Sequence, residues 1–101
     1  MTKRKRKKLE QELTELENSV DFYKGRIIML ENRDKAIQII WNSDNPYEAR
    51  SLLMEQLGVN ERQSQAIVEM RLFQLTKMKL NELSDIYQYV LSRIEDIKKE
   101  L

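Results

Sequence analysis

The stretch that decides the fold runs from Asn60 to Thr76, NERQSQAIVEMRLFQLT. Asn60 is a good helix N-cap, because its short side chain can accept from a backbone N–H that has no partner inside the helix. Gln63 stands three residues on, the spacing of a capping box. No helix breaker follows, so the pattern predicts a helix of about four turns. Its apolar residues divide between two faces of the helical wheel. Ala66, Ile67, Met70 and Phe73 share one face; Val68, Leu72 and Leu75 share roughly the opposite one. A helix with one apolar stripe covers a core, whereas a helix with two has to be covered twice. In a chain of 101 residues, one of those layers is expected from another copy of the molecule.

The flanking segments are helical as well. Upstream, Asn42-Ser43-Asp44-Asn45 is a polar break, and Pro46 sits where proline is tolerated, at a first helical position. Asn45 is the cap there and Glu48 stands at the box position. This helix runs to about Leu57, buries Ala49, Leu52, Leu53 and Leu57 on one face, and ends at Gly58, the residue best able to turn left-handed. Downstream, the chain turns around Thr76 to Lys79, and a last helix runs from about Leu80 to Leu101.

At the start, residues 3 to 42 read as one long helix. Leu9, Leu13, Leu16, Val20, Tyr23, Ile27 and Leu30 alternate spacings of four and three, a heptad seam. Gly25 lies off the seam and implies a close neighbour or a local bend. At Asp34 the seam fails, and Ala36, Ile37, Ile39, Ile40 and Trp41 form a broader apolar surface. The last helix carries a second seam, Leu83, Tyr87, Val90, Ile94, Ile97 and Leu101. Laid antiparallel, the seams match over six rungs, with Leu30 opposite Leu83, Tyr23 opposite Val90, Leu16 opposite Ile97 and Leu13 opposite Leu101. The expected architecture is all-α. A two-helix coiled-coil arm, residues 1–30 and 83–101, is about 30 Å long and carries a small helical globular head, residues 31–82. A core stripe in a four-helix bundle is the alternative for each seam.

Composition narrows the chemistry. Apolar residues are 41% and charged residues 35%, a balance that suits long, half-solvated helices. Gly and Pro total three, which leaves little material for strands and tight turns. Without Cys there are no disulfides and no thiol chemistry, which fits an intracellular protein. Without His as well, the common acid–base and nucleophile pairs lack their base, and a zinc site would need carboxylates alone. No catalytic, cofactor-binding or metal residues are assigned. There is no apolar run long enough to span a membrane, and no h-region follows the basic start. The net charge of +1 hides an asymmetry: Lys3, Arg4, Lys5, Arg6, Lys7 and Lys8 are cationic, while the 12 other basic residues face 17 acids.

The residues Gln65-Ala66-Ile67-Val68-Glu69-Met70-Arg71-Leu72, then Leu75-Thr76, resemble the Q-A-I-L-D-M-R-L-x-x-L-T signature of the A subunit of bacterial type IIA DNA topoisomerases, gyrase and topoisomerase IV. Gly25, Leu30, Asp34, Ile37, Ile40 and Ser43-Asp44 match that family's upstream run without a gap, and Tyr87 falls at its tyrosine in the returning helix. The resemblance is good from Gly25 to about Leu91 and weaker before it, where Lys7-Lys8 stand for the family's paired arginines. One departure is Lys77, where the family has Gly, so a different backbone conformation or strain is expected there.

The resemblance implies a coiled-coil tower and a head that pairs with its twin to form the exit gate, or C-gate, through which transported DNA leaves. It implies a homodimer through the head, no cofactor in this segment, and a bacterial-type cytoplasmic setting. The partners it implies for the parent are duplex DNA and the ATPase/TOPRIM B subunit. The parent is an ATP-dependent topoisomerase whose catalytic tyrosine lies upstream. Tyr23 and Tyr87 are seam residues, and Tyr47 and Tyr89 have no basic cluster around them in the sequence. Met1 directly before the basic start suggests an excised segment, a natural short chain being the alternative.

For the dimer contact the assignment is Ile67, Met70 and Phe73, with Trp41, Met54 and Arg71. Two of the last group have a plainer reading: Trp41 as core filling, Arg71 as paired within its own protomer. The run Lys3–Lys8 is either a nucleic-acid contact or a solvated end that frays, because its cations oppose the positive end of the helix dipole. A stand-alone coiled-coil adaptor, with or without such a nucleic-acid contact, is the alternative for the whole chain.

Overall fold

The computed structural model describes residues 2–101, except for the side chain of Met78. Among the described residues the regular structure is entirely helical: α1 (Lys3–Glu31), α2 (Arg33–Trp41), α3 (Pro46–Leu57), α4 (Glu61–Val68), a short 3-10 helix (Leu72–Leu75) and α5 (Lys77–Glu100). The molecule is elongated, 54 × 27 × 19 Å.

The first long helix is two helices. Asn32 ends α1: its side-chain Nδ2 donates back to the Ile28 carbonyl at 2.8 Å, and its N–H is shared between Ile28 and Met29. An asparagine side chain competes in this way for the carbonyls that would continue a helix. The chain restarts one residue later as α2.

α3 begins and ends as expected, with Asn45 Oδ1 accepting from the Glu48 N–H at 2.9 Å and Gly58 at φ +71°. The box is only half formed, because Glu48 takes the N–H of Asp44 rather than that of Asn45.

α4 has the full capping box. Asn60 Oδ1 accepts from the Gln63 N–H at 2.8 Å, and Gln63 Oε1 accepts from the Asn60 N–H at 2.9 Å. It then stops at Val68, two turns short of expectation. The N–H of Met70 bonds to Ile67 at 3.1 Å, Arg71 is extended, and Gln74 Oε1 caps the Arg71 N–H at 2.8 Å. The apolar residues after Val68 are therefore not a second face of one helix. They form a separate corner, in which Met70 and Leu75 pack against the core while Leu72 and Phe73 are exposed.

Thr76 accepts from the Lys79 N–H at 3.2 Å and caps α5, which starts at Lys77, three residues earlier than expected. Lys77 lies in ordinary helical backbone, and no described non-glycine residue has positive φ, so the strain expected at that position is absent.

One core joins the elements. Met29, Leu30, Ala36, Ile39, Leu53, Val59 and Ile67 are buried together, and Leu80 and Leu83 at the start of α5 pack against them. The start of α5 thus lies beside the end of α1, and the two long helices run antiparallel. Leu30, Val90 and Ile97 of the two seams are buried; Leu13, Leu16, Val20, Tyr23, Ile27, Leu83, Tyr87 and Ile94 are half-buried; Leu101 is exposed.

Two ion pairs cross the arm: Glu12 forms a forked pair with Arg93 at 2.8 and 3.1 Å, and Glu17 meets Lys98 at 3.9 Å. Leu9, at the far end of the first seam, is 7% exposed.

Gly25 is where α4 crosses α1. A Cβ there would lie 2.8 Å from Gln63 Cβ and 2.9 Å from its Cα. The missing side chain lets the buried start of α4 lie against α1, and Asn60 Nδ2 then reaches Asp21 at 3.2 Å.

Candidate interaction surface

α2 is short and has two faces. Ala36 and Ile39 go into the core, while Ile37, Ile40 and Trp41 point outward at spacings of three and one. Trp41 is 84% exposed at the helix end. The corner after α4 places Leu72 beside it, 85% exposed, and Phe73 next in the chain, 59% exposed. Between them is an apolar groove of about 220 Å³. Met29 and Ile67 are among its lining residues, with Ile37, Ile40 and Trp41 from α2 and Met70, Leu72 and Leu75 from the corner. Arg71, exposed, stands at the rim, and among the described residues it has no ion-pair partner. Contiguous apolar surface of this kind marks an interaction site more often than a scatter of single exposed residues does.

The six residues assigned to a contact from the sequence divide. Trp41, Phe73 and Arg71 are exposed here, and Met70 is a half-buried wall of the groove. Ile67, 2% exposed, belongs to the core and only lines the groove from within. Met54 packs against the core from α3 and does not line the groove. The sequence assignment does not include Leu72, Ile37 and Ile40. A helix continued past Val68 places Leu72 opposite Met70. The α2 residues carried a signal, since an apolar run in a nine-residue helix exceeds what one face can bury.

A second, more open cleft of about 510 Å³ lies between α1, α3 and α4. Polar contacts link part of its lining. Arg50 donates to Gln65 and lies 4.9 Å from the Tyr47 ring, while Gln65 donates to Glu69. Nearby, burial pushes the Arg26 guanidinium below its usual range, and it stacks 4.3 Å from the Phe22 ring. The basic run Lys3–Lys8 is exposed throughout, with Arg6 paired to Glu10 at 3.2 Å. Among the described residues no helix is long and apolar enough to cross a membrane.

Comparison with known proteins places the chain in a lineage. The chain is 35% identical over 86 residues to the DNA gyrase A subunit of Helicobacter pylori (strain ATCC 700392 / 26695), a match covering 85% of this chain and 10% of that protein. It is 38% identical over 73 residues to the DNA gyrase A subunit of Streptococcus pyogenes serotype M3 (strain ATCC BAA-595 / MGAS315), covering 72% of this chain and 9% of that one. The chain thus spans about a tenth of the length of these relatives. Residues 1–101 match the family model that describes the A subunit of DNA gyrase/topoisomerase IV. Match over the whole chain and identity above 30% to these relatives agree: the chain belongs to the family of DNA gyrase/topoisomerase IV A subunits.

Proposed function

We propose that this chain is a non-catalytic dimerisation module, the exit gate of a type IIA topoisomerase. Two heads meet there and hold the A subunits together until the transported duplex leaves. In the parent, its partners are duplex DNA and the ATPase-bearing B subunit, in a bacterial-type cytoplasm. The observation that carries this reading is that groove and protrusions share one patch: Trp41 and Leu72 stand out beside the groove that Ile37, Ile40 and Met70 help to line. A two-fold contact brings the same patch of both copies together, so each copy's protrusions can enter the other's groove. A large aromatic seated in such a pocket is the usual centre of binding energy.

Sedimentation equilibrium tests it. A dimer is expected at micromolar concentration, and Trp41→Ser with Leu72→Glu is expected to give a monomer of unchanged helicity, because both side chains are largely solvated in the single chain. A strict monomer up to millimolar concentration contradicts the proposal.

A further inference from the structure

The groove on the head is lined by apolar side chains with one charged exception, the Arg71 guanidinium, and with one aromatic ring, that of Trp41. Neither is satisfied within the single chain. Trp41 is 84% exposed at the groove's edge. Arg71 is exposed, and among the described residues it forms no ion pair. It also stacks on no ring: the cation–ring pairs of the described residues are Arg26 with Phe22 and Arg50 with Tyr47. Its backbone is held, because Gln74 Oε1 accepts from the Arg71 N–H at 2.8 Å and the 3-10 helix begins at the next residue. A fixed stretch of chain thus carries an unpaired guanidinium beside the groove.

A two-fold contact of groove against groove repeats one set of residues on both sides. No carboxylate is among the lining residues. An Arg71 pressed against the partner's groove therefore meets no acid there, and losing its water without a counter-charge is costly. Trp41 supplies the only π-face in that set. Tryptophan is the aromatic ring that attracts a cation most strongly, and the planar, weakly hydrated guanidinium is the cation suited to stack on it. We propose that in the dimer the Arg71 of each copy stacks on the face of Trp41 of the partner subunit as that indole enters the groove. The stack occurs twice across the two-fold and selects the partner, since a chain that lacks either residue leaves a cation or a ring unmatched. This pairing rests on the dimer reading above and adds to it the contact that orients the two heads.

The test uses the single tryptophan of the chain. Protein produced with mono-, di- or trifluorinated tryptophan carries the change at Trp41 alone, and each fluorine draws electron density from the ring face that holds a cation. Dimer dissociation constants from sedimentation equilibrium are expected to rise with each fluorine in the otherwise wild-type chain and to stay flat across the series in Arg71→Gln. Arg71→Gln itself is expected to weaken the dimer roughly 10–100-fold, because the stack is lost twice. Arg71→Lys keeps the charge but not the planar stack, and is expected to fall between. Circular dichroism controls for folding. Dissociation constants indifferent to fluorine in wild type, or the same fluorine dependence in Arg71→Gln, overturn the stack while leaving the dimer standing. A dimer that salt weakens and fluorine leaves unchanged assigns Arg71 to a partner carboxylate and overturns it as well. Absence of a dimer in every chain overturns the reading on which the stack rests.

Discussion

Gly25 and Gly58 are the two glycines of the chain, and they serve opposite needs. Gly25 makes space: the nearest atoms to an added methyl include Gln63 Cα, which is backbone and cannot swing away. Gly25→Ala is therefore expected to force α4 off α1 and to cost about 1–3 kcal/mol, as overpacking does. Urea denaturation measures it. Gly58 has open space around it but sits at φ +71°, so Gly58→Ala carries only the left-handed penalty, about 1 kcal/mol. Equal and negligible effects at the two positions would contradict these assignments. Asn60 is the third such residue. Asn60→Ala loses the cap on Gln63 and the link to Asp21, an expected loss of about 0.5–2 kcal/mol on the same assay. The sequence left a close neighbour or a local bend open at Gly25, and it did not show which element comes close, because that neighbour, Gln63, lies far along the chain.

At the scale of elements, the caps were legible, whereas the ends of α1 and α4, set by side-chain bonds of Asn32 and Gln74, were not. Caps at Asn45 and Asn60, the proline start and the glycine stop all announce themselves through single side chains. The end of α4 does not, since nothing from Glu69 to Leu75 is a breaker; its turn is completed by Gln74 bonding back to Arg71. The arm shows a similar limit. Two seams are legible, but the ion pairs that cross between them, Glu12 with Arg93 and Glu17 with Lys98, are not. Those pairs also make a pH prediction. Hydrogen bonds from the Arg93 guanidinium hold the Glu12 carboxyl below its usual range, and the same bonds push Arg93 up. A carboxylate depressed in the folded state stabilises it fully above the unfolded-state value and loses that contribution as pH falls through the folded one. Thermal melts should therefore show wild type above Glu12→Gln at neutral pH, with the gap closing below the normal carboxylate range. A gap independent of pH would mean that the pair contributes nothing. Its exposure implies a small effect that weakens in salt.

For the whole molecule, the sequence implied that apolar surface exceeds what one short chain can cover, and the structure bears this out at a different place. The excess is not a second stripe on one long helix. It is the outer side of α2 together with the corner after α4, which the early stop of α4 brings side by side. Trp41 lies in that patch and is the single tryptophan of the chain, so it reports on the patch alone. Its emission and its accessibility to a soluble quencher, followed through a dilution series, test the central claim most directly. Burial against a second copy predicts blue-shifted, poorly quenched emission at high concentration that moves to the red and becomes quenchable on dilution, with a midpoint matching the dimer–monomer transition. Emission that stays red and fully quenchable at every concentration would contradict it.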